Sequence, residues 1–274
     1  MDHRLLVPVD FSQISVNAVN YALGLAPAFN CGVVLLHVVD DEEYKQKGER
    51  EMEKFLAQFE TDISIKTFVI PGNLFEDIAK AAELLEVYMV VMGTSGLKGL
   101  QYLFGSHALR IVTSASAPFL ITQEQPPRPK IETIVVPVDL ASEDKHILSL
   151  ALQSARLFDA KIHLFVAHHT DEFSRNNTYR NEKFAHRYLD DHNIHYTTIH
   201  AEGKNSFDKE ILEYADLVSA DMIAVVNHKE TGFLNVFGKN FDQNLITNDN
   251  GIPVLVMNAN EHKKITDIFD VFQV

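Results

Sequence analysis

Short, continuously apolar segments alternate with amphipathic segments along the whole of this chain. In the first half the apolar runs are Leu5–Val9, Val33–Val39, Ile65–Ile70, Tyr88–Met92 and Phe119–Thr122. They are rich in Val, Ile and Leu and show no regular alternation with polar residues. This pattern predicts strands that are buried on both faces, as in a parallel sheet covered by helices.

The segments between these runs carry apolar residues at helical spacing. In the highly charged segment Glu42–Phe59, the residues Met52, Phe55 and Phe59 belong to one apolar stripe. The other predicted helices of the first half are Ser12–Phe29, Phe75–Leu85 and Ser106–Ser114. Alternation of strands and helices predicts an α/β fold with right-handed crossovers.

The second half repeats the first in the same order. The run Leu5–Asp10 is matched by Ile134–Asp139, and the run Leu35–Val39 by His163–Ala167. The predicted strands of the second half are Thr133–Val138, Lys161–Ala167, Tyr196–His200, Met222–Val226 and Pro253–Met257, and its predicted helices are about Glu143–Phe158, Glu172–His192, Phe207–Ser219 and Asn240–Asn248. An internal repeat of this length indicates two copies of one domain.

We therefore predict two tandem domains, each an open parallel five-stranded sheet with helices on both faces. Residues 1–124 form the first domain and residues 131–258 the second, with a C-terminal tail at 259–274. The linker at 125–130 contains three prolines, which favour an extended backbone. Since the last strand of each domain would expose an edge unless it were covered, we expect the domains to pack as an intramolecular pseudo-dimer, with a further homodimer possible.

Composition narrows the classes of partner. The net charge of −14 argues against non-specific binding to nucleic acid or to an anionic membrane. We expect no signal peptide before the first strand, and no apolar run approaches the roughly 20 residues of a membrane span. Cys31 is the single cysteine, which suits a reducing compartment. The expected location is the cytoplasm.

A glycine-rich segment supplies the strongest candidate site. It begins with Gly93 at the end of the fourth predicted strand, continues through Gly96, and reaches Gly105-Ser106 at the start of a predicted helix. Glycines allow close approach of the backbone to a ligand, and the first N–H groups of a helix favour phosphate. A flexible surface loop capped by Gly-Ser is the alternative interpretation.

Asp10 ends the first predicted strand. In open α/β sheets, ligands bind outside the carboxyl ends of the strands, where the strand order reverses. If the first and fourth strands are neighbours, Asp10 faces the glycine-rich segment across one crevice. A carboxylate there suits ribose hydroxyls and repels phosphate. Alternatively, Asp10 or Ser12 caps the helix that begins near Gln13, and the two roles are compatible.

These motifs resemble those of the universal stress protein family. The matching residues are Pro8-Val9-Asp10, His37–Val39, Gly93, Gly96, Gly105-Ser106 and Ala117–Leu120, and the resemblance extends over both halves as a tandem arrangement. It implies a Rossmann-like fold of the adenine-nucleotide alpha-hydrolase type. It also implies that the ligand is ATP or a related adenine nucleotide.

The resemblance assigns a role to each site residue. Asp10 would hold the ribose, the backbone of Val9 and Val38 would frame the adenine, and Met92 and Gly93 would form the floor. Phosphates would bind Gly96, Gly105, Ser106 and the amide of His107. Lys98 either reaches the phosphates or is a solvated loop residue. Eight residues separate Gly96 from Gly105, one fewer than in the family pattern.

The second half departs further from the pattern. Asn227–Glu230 stands in place of Gly93–Gly96, and Gly238-Lys239 in place of Gly105-Ser106, whereas Asp139 is retained. A side chain at Asn227 would narrow the pocket, and the carboxylate of Glu230 would repel phosphates. We therefore expect nucleotide in the first half only.

No catalytic or metal-binding residue is predicted. The 13 histidines show no zinc-type spacing with a set of partner ligands, and no nucleophile-and-base pair is evident. The predicted function is a stress-response sensor or interaction module that binds an adenine nucleotide and acts through unidentified protein partners. A ligand-free scaffold of the same fold and a slow ATP hydrolase are the alternatives.

Overall fold

The computed structural model describes residues 4–94, 117–125, 130–139, 145–227 and 241–258. The chain divides into two compact units, Met1–Pro129 and Lys130–Val274. Most of the predicted linker, the predicted helix Ser106–Ser114 and the predicted tail lie outside the described residues. Those features, the domain boundaries and the pseudo-dimer stay predictions.

The first unit is an α/β unit with a parallel sheet. Its elements are β1 (Arg4–Pro8), α1 (Gln13–Leu25), β2 (Gly32–Val39), α2 (Glu42–Leu56), β3 (Ile65–Pro71), α3 (Leu74–Leu84), β4 (Met89–Gly93) and β5 (Phe119–Thr122). The strand order is β3-β2-β1-β4-β5, and every pairing is parallel. β1 therefore lies between β2 and β4, which confirms that the first and fourth predicted strands are neighbours.

The apolar runs form the core of this sheet. Leu5, Leu6 and Val7 of β1 are completely buried, whereas the edge strand β3 leaves Phe68 exposed. α1 packs on β1 and β4, and α2 packs on β2 and β3. Right-handed crossovers place these two helices on one face of the sheet and α3 on the other.

Both ends of α1 have a local cause. Ser12 is the N-cap, and its hydroxyl accepts a hydrogen bond from the N–H of Ser15 at 3.3 Å. The predicted end at Phe29 is wrong, because the helix stops at Leu25 with Ala26 as its C-cap. Pro27 follows directly, and it has no N–H to donate to the preceding turn.

The second unit has the same topology. Its elements are β6 (Thr133–Val138), α4 (Lys145–Phe158), β7 (Lys161–Val166), α5 (Glu172–Asp191), β8 (Tyr196–His200), α6 (Phe207–Leu217), β9 (Met222–Asn227), α7 (Phe241–Ile246) and β10 (Val254–Asn258). The order β8-β7-β6-β9-β10 is again parallel throughout. None of the helices described in either unit is long and apolar enough to cross a membrane.

The strand register corrects the match between the two halves by one residue. Pro8 of β1 pairs with Leu36 of β2, and Pro137 of β6 pairs with Phe165 of β7. Leu36 therefore corresponds to Phe165, whereas the sequence match had placed it opposite Leu164. Two apolar runs can be matched in either register by eye, and only the pairing decides between them. As a result, Asp40 corresponds to His169.

Candidate functional site

The candidate crevice lies at the carboxyl ends of β1, β2 and β4. Asp10 follows β1, Val38 lies near the end of β2, and Gly93 is the last residue of β4. Because β1 pairs with both other strands, these three positions lie at one edge of the sheet, where the strand order reverses. Ligands bind at such a switch point in open α/β sheets.

The carboxylate of Asp10 is held by one of its two oxygens. Oδ1 accepts hydrogen bonds from the N–H of Ser12 at 3.0 Å, the hydroxyl of Ser12 at 2.5 Å and the hydroxyl of Ser15 at 2.6 Å. The residue is exposed, and no hydrogen bond to Oδ2 is found among the described residues. Ser12 is thus the helix cap, and Asp10 is oriented by the capping turn.

The electrostatics keep this carboxylate ionised. Burial raises the pKa of Asp10, but hydrogen bonds from the Ser12 and Ser15 hydroxyls and from the Ser12 N–H outweigh it and leave the pKa below its ordinary value. At neutral pH the side chain is therefore an acceptor only. Its open Oδ2 is suited to a hydroxyl donor.

His37 supports the end of β1, a role that the sequence did not reveal. Its Nδ1 lies 2.8 Å from the carbonyl oxygen of Val9, and since a carbonyl only accepts, Nδ1 carries the proton. Its ring lies 4.3 Å from the ring of Phe11. Phe11 has a left-handed backbone with φ of 66°, and its ring also meets Phe55 of α2. These contacts hold the turn that carries Asp10.

The other predicted contact residues differ in how accessible their polar atoms and side chains are to a ligand. The N–H of Val9 donates to the carbonyl of Leu36 at 2.8 Å, so both polar backbone atoms of Val9 already have protein partners. Val38 is half-buried, whereas Met92 is almost completely buried. The predicted phosphate residues lie outside the described residues, and their role stays a prediction: Gly96, Lys98, Gly105, Ser106 and His107.

Gly93 has a packing reason to be glycine. A Cβ at this position would lie 2.4 Å from Cγ2 of Ile14 and 2.9 Å from the backbone oxygen of Ile14. The first turn of α1 therefore rests directly on the end of β4. The sequence suggested close approach of a ligand, and the structure shows close approach of a helix.

A further feature of this edge was not foreseen. An open groove of about 240 Å³ lies between the end of β2 and the first half of α2. Its lining includes Val38, Asp40, Tyr44 and Lys47. The groove adjoins the position that the resemblance assigns to adenine.

Residues 1–123 match the model of the universal stress protein family. The first unit of this chain belongs to the universal stress protein family. Universal stress protein MJ0531 of Methanocaldococcus jannaschii is 27% identical over 139 residues, which are 44% of this chain and 82% of that protein. Universal stress protein MJ0577 of the same organism is 23% identical over 157 residues, 46% of this chain and 97% of that protein.

Solved structures match the chain along almost its whole length. A universal stress protein of Archaeoglobus fulgidus has a TM-score of 0.72 at 14% identity, covering 94% of this chain and 99% of that one. Protein PA1789 of Pseudomonas aeruginosa has a TM-score of 0.63 at 16% identity, covering 98% and 96%. At these identities the likeness establishes the fold of both units.

The second unit has a different arrangement at the corresponding edge. Asp139, the counterpart of Asp10, is only 4% exposed. Its Oδ1 is in a very short contact with Nε2 of His169, and its backbone oxygen accepts from Nδ2 of Asn181 at 2.7 Å. The sequence did not predict the pair with His169, since the two residues lie thirty positions apart and only the sheet brings them together.

Two other described histidines of the second unit have structural contacts. Nδ1 of His163 lies 2.7 Å from the hydroxyl of Tyr214, and burial lowers the pKa of His163. Nε2 of His186 lies 2.7 Å from the hydroxyl of Thr198. Within the part of the chain that the structure describes, no three His, Cys, Asp or Glu side chains are grouped so as to hold a metal ion.

Proposed function

We propose that the first unit binds an adenine nucleotide, ATP or a related one, at the ends of β1, β2 and β4. In this proposal the protein acts as a stress-response sensor or interaction module whose bound nucleotide influences protein partners. The observation that carries the proposal is the ionised carboxylate of Asp10, which has Oδ1 fixed by serines and no described partner at Oδ2.

A carboxylate in this state is prepared for a ribose. The three hydrogen bonds to Oδ1 fix the side chain before any ligand arrives, so that little rotational freedom is lost on binding. Oδ2 then accepts a ribose hydroxyl in a charge-assisted hydrogen bond. The same negative charge repels phosphate, so the phosphates must lie away from Asp10, towards the predicted glycine-rich segment.

The second unit supports binding in the first unit alone. Its equivalent carboxylate, Asp139, is buried and is in contact with His169. Together with Asn227 and Glu230 in place of glycines, this favours one nucleotide per chain.

The test is calorimetric titration with adenosine, which needs no phosphate site. Asp10→Asn preserves the shape of the side chain but replaces one acceptor oxygen with an NH₂ donor. A hydrogen bond to a charged group contributes about 1.5–3 kcal/mol, so we expect a loss of affinity of roughly 10- to 150-fold. Glu43→Gln is the matched control, since it removes one exposed negative charge from the first turn of α2, does not line the groove and should change the affinity little.

The ligand can be changed instead of the protein. Adenosine that lacks both ribose hydroxyls should bind the wild type as weakly as adenosine binds Asp10→Asn, and the variant should not discriminate between the two ligands. Equal adenosine affinities in wild type and variant would refute the role of Asp10. No binding by the wild type would favour the ligand-free scaffold.

A further inference from the structure

Three positions distinguish the aspartate of the second unit from that of the first. Ser12 and Ser15, which hold Asp10, correspond by sequence to Ala141 and Asp144, which lie outside the described residues. The strand register makes His169 the counterpart of Asp40. By sequence the second unit therefore has other residues in place of these two serines, and it has an imidazole at the end of the neighbouring strand.

These substitutions change which polar groups a ligand would meet at this edge of the second unit. In the first unit the carboxylate is exposed, whereas in the second unit it is buried in contact with the imidazole. His169 itself is partly exposed, with 22% of its side chain accessible. At the position where the first unit offers an acceptor, the second unit thus offers an imidazole ring.

We propose that His169 closes the second unit to ribose-bearing ligands by occupying the carboxylate that such a ligand would need. This inference rests on the proposed function, because it assumes that the aspartate after the first strand of each unit is the ribose contact. His169 is a specificity-determining residue here, and it makes two units of one fold unequal in binding.

Burial of the carboxylate behind the imidazole explains the closure. Asp139 is only 4% exposed and the partly exposed His169 lies against it, so a ribose hydroxyl can reach this carboxylate only if Nε2 of His169 leaves it. That step separates a hydrogen-bonded pair at a carboxylate that is nine-tenths buried, and the incoming hydroxyl only replaces the donor that was lost. The exchange therefore yields no net gain in hydrogen bonding, whereas Asp10 in the first unit has an oxygen ready to accept.

The test rebuilds the first unit's residues in the second. The full-length variant Ala141→Ser/Asp144→Ser/His169→Asp is titrated with adenosine, because the altered glycine motif of the second unit would confuse a test with ATP. We expect one more adenosine site per chain than in the wild type. The control Ala141→Ser/Asp144→Ser retains His169 and should keep the wild-type number of sites.

The outcomes separate this inference from the proposed function. If the wild type has one adenosine site and the rebuilt variant has two, the result supports both the inference and the proposed function. If the wild type has no adenosine site and the rebuilt variant has one, the result supports the closure by His169 and overturns the proposed function in the first unit. Equal numbers of sites in wild type and a folded rebuilt variant overturn the closure.

A measurement on the wild type applies even if the rebuilt variant does not fold. Nitrogen-15 NMR of the imidazoles should show the Nε2 resonance of His169 unchanged when the protein is saturated with adenosine. A change at His169 of the size seen on Asp139→Asn would mean that adenosine displaces the imidazole, and the inference would be wrong.

Discussion

Replacing Glu210 with glutamine should destabilise the second unit by about 2–4 kcal/mol. Glu210 is 7% exposed and lies in the first half of α6. Its Oε2 accepts from the N–H groups of Glu202 and Gly203 at 2.8 and 3.2 Å, and its Oε1 from those of Lys204 and Asn205 at 2.6 and 2.9 Å. One carboxylate therefore anchors the whole connection between β8 and α6.

The magnitude follows from counting donors. Glutamine keeps one acceptor oxygen, but its NH₂ group would face two backbone N–H donors, so two of the four hydrogen bonds are lost. Each hydrogen bond to a charged group contributes about 1.5–3 kcal/mol, and exposure of the connecting residues to water recovers part of the loss. Glu213→Gln is the matched control, because Glu213 lies on the same helix, is exposed and accepts one hydrogen bond from a described residue, Asn205. Glu213→Gln should lower the free energy of unfolding by less than about 0.5 kcal/mol.

The difference should depend on pH. Burial raises the pKa of Glu210, but the four backbone N–H groups outweigh it and bring the pKa below the ordinary value of 4.5. A carboxyl group with a lowered pKa in the folded state stabilises fully above its unfolded value, and the contribution disappears as the pH falls through the folded value. The difference in the free energy of unfolding between wild type and Glu210→Gln should therefore be at its full size at pH 7 and shrink below pH 4.5.

Urea unfolding followed by circular dichroism, together with hydrogen exchange at residues 202–205, measures both effects. Hydrogen exchange reports on this connection even if the two units unfold separately. A loss in Glu213→Gln as large as that in Glu210→Gln, or a gap that does not change with pH, would refute the reasoning.

Two further predictions concern packing and strand ends. Gly93→Ala should lower the free energy of unfolding in urea by about 1–3 kcal/mol, because the new Cβ meets the backbone of Ile14. The control Gly24→Ala should be neutral or stabilising, because no atom lies within 4 Å of its new Cβ. Asp221→Ala should cost about 1–3 kcal/mol and speed hydrogen exchange at Glu132 and Thr133, because its Oδ2 accepts both of their N–H groups. Slow exchange at both amides in Asp221→Ala would contradict this.

The fold was largely predictable because the strands of a parallel sheet are buried on both faces. The strands Phe119–Thr122, Thr133–Val138 and Tyr196–His200 have the predicted bounds, and the other strands differ by one residue at one end or at both. The neighbouring positions of β1 and β4 were the condition for a shared crevice, and they hold. Helix ends were less predictable, as α1 shows, because Pro27 has no N–H to continue the helix and leaves the apolar spacing unchanged.

The contacts of the site were less predictable than its location. A strand-end aspartate and a capping serine are visible in the sequence, but the choice of Ser12 as the cap and of Oδ1 as the shared acceptor depends on the shape of one turn. The pair of Asp139 and His169 depends on strand register, and two apolar runs matched by eye were placed one residue out. Nor does the motif around Gly93 reveal that the turn of α1 lies against it.

The retained Asp139 shows why a conserved-looking motif is weak evidence for a ligand. A carboxylate beside a helix turn takes hydrogen-bond donors from the protein, whether or not a ligand ever binds. In the first unit the two serines donate to one oxygen of an exposed carboxylate, whereas in the second unit an imidazole lies against a carboxylate that is buried. The three residues of Pro137-Val138-Asp139 are identical to Pro8-Val9-Asp10, so the difference lies wholly in the partners. The capacity to bind ribose therefore has to be judged from the donors around the carboxylate, and by that measure the two units have diverged while keeping one fold.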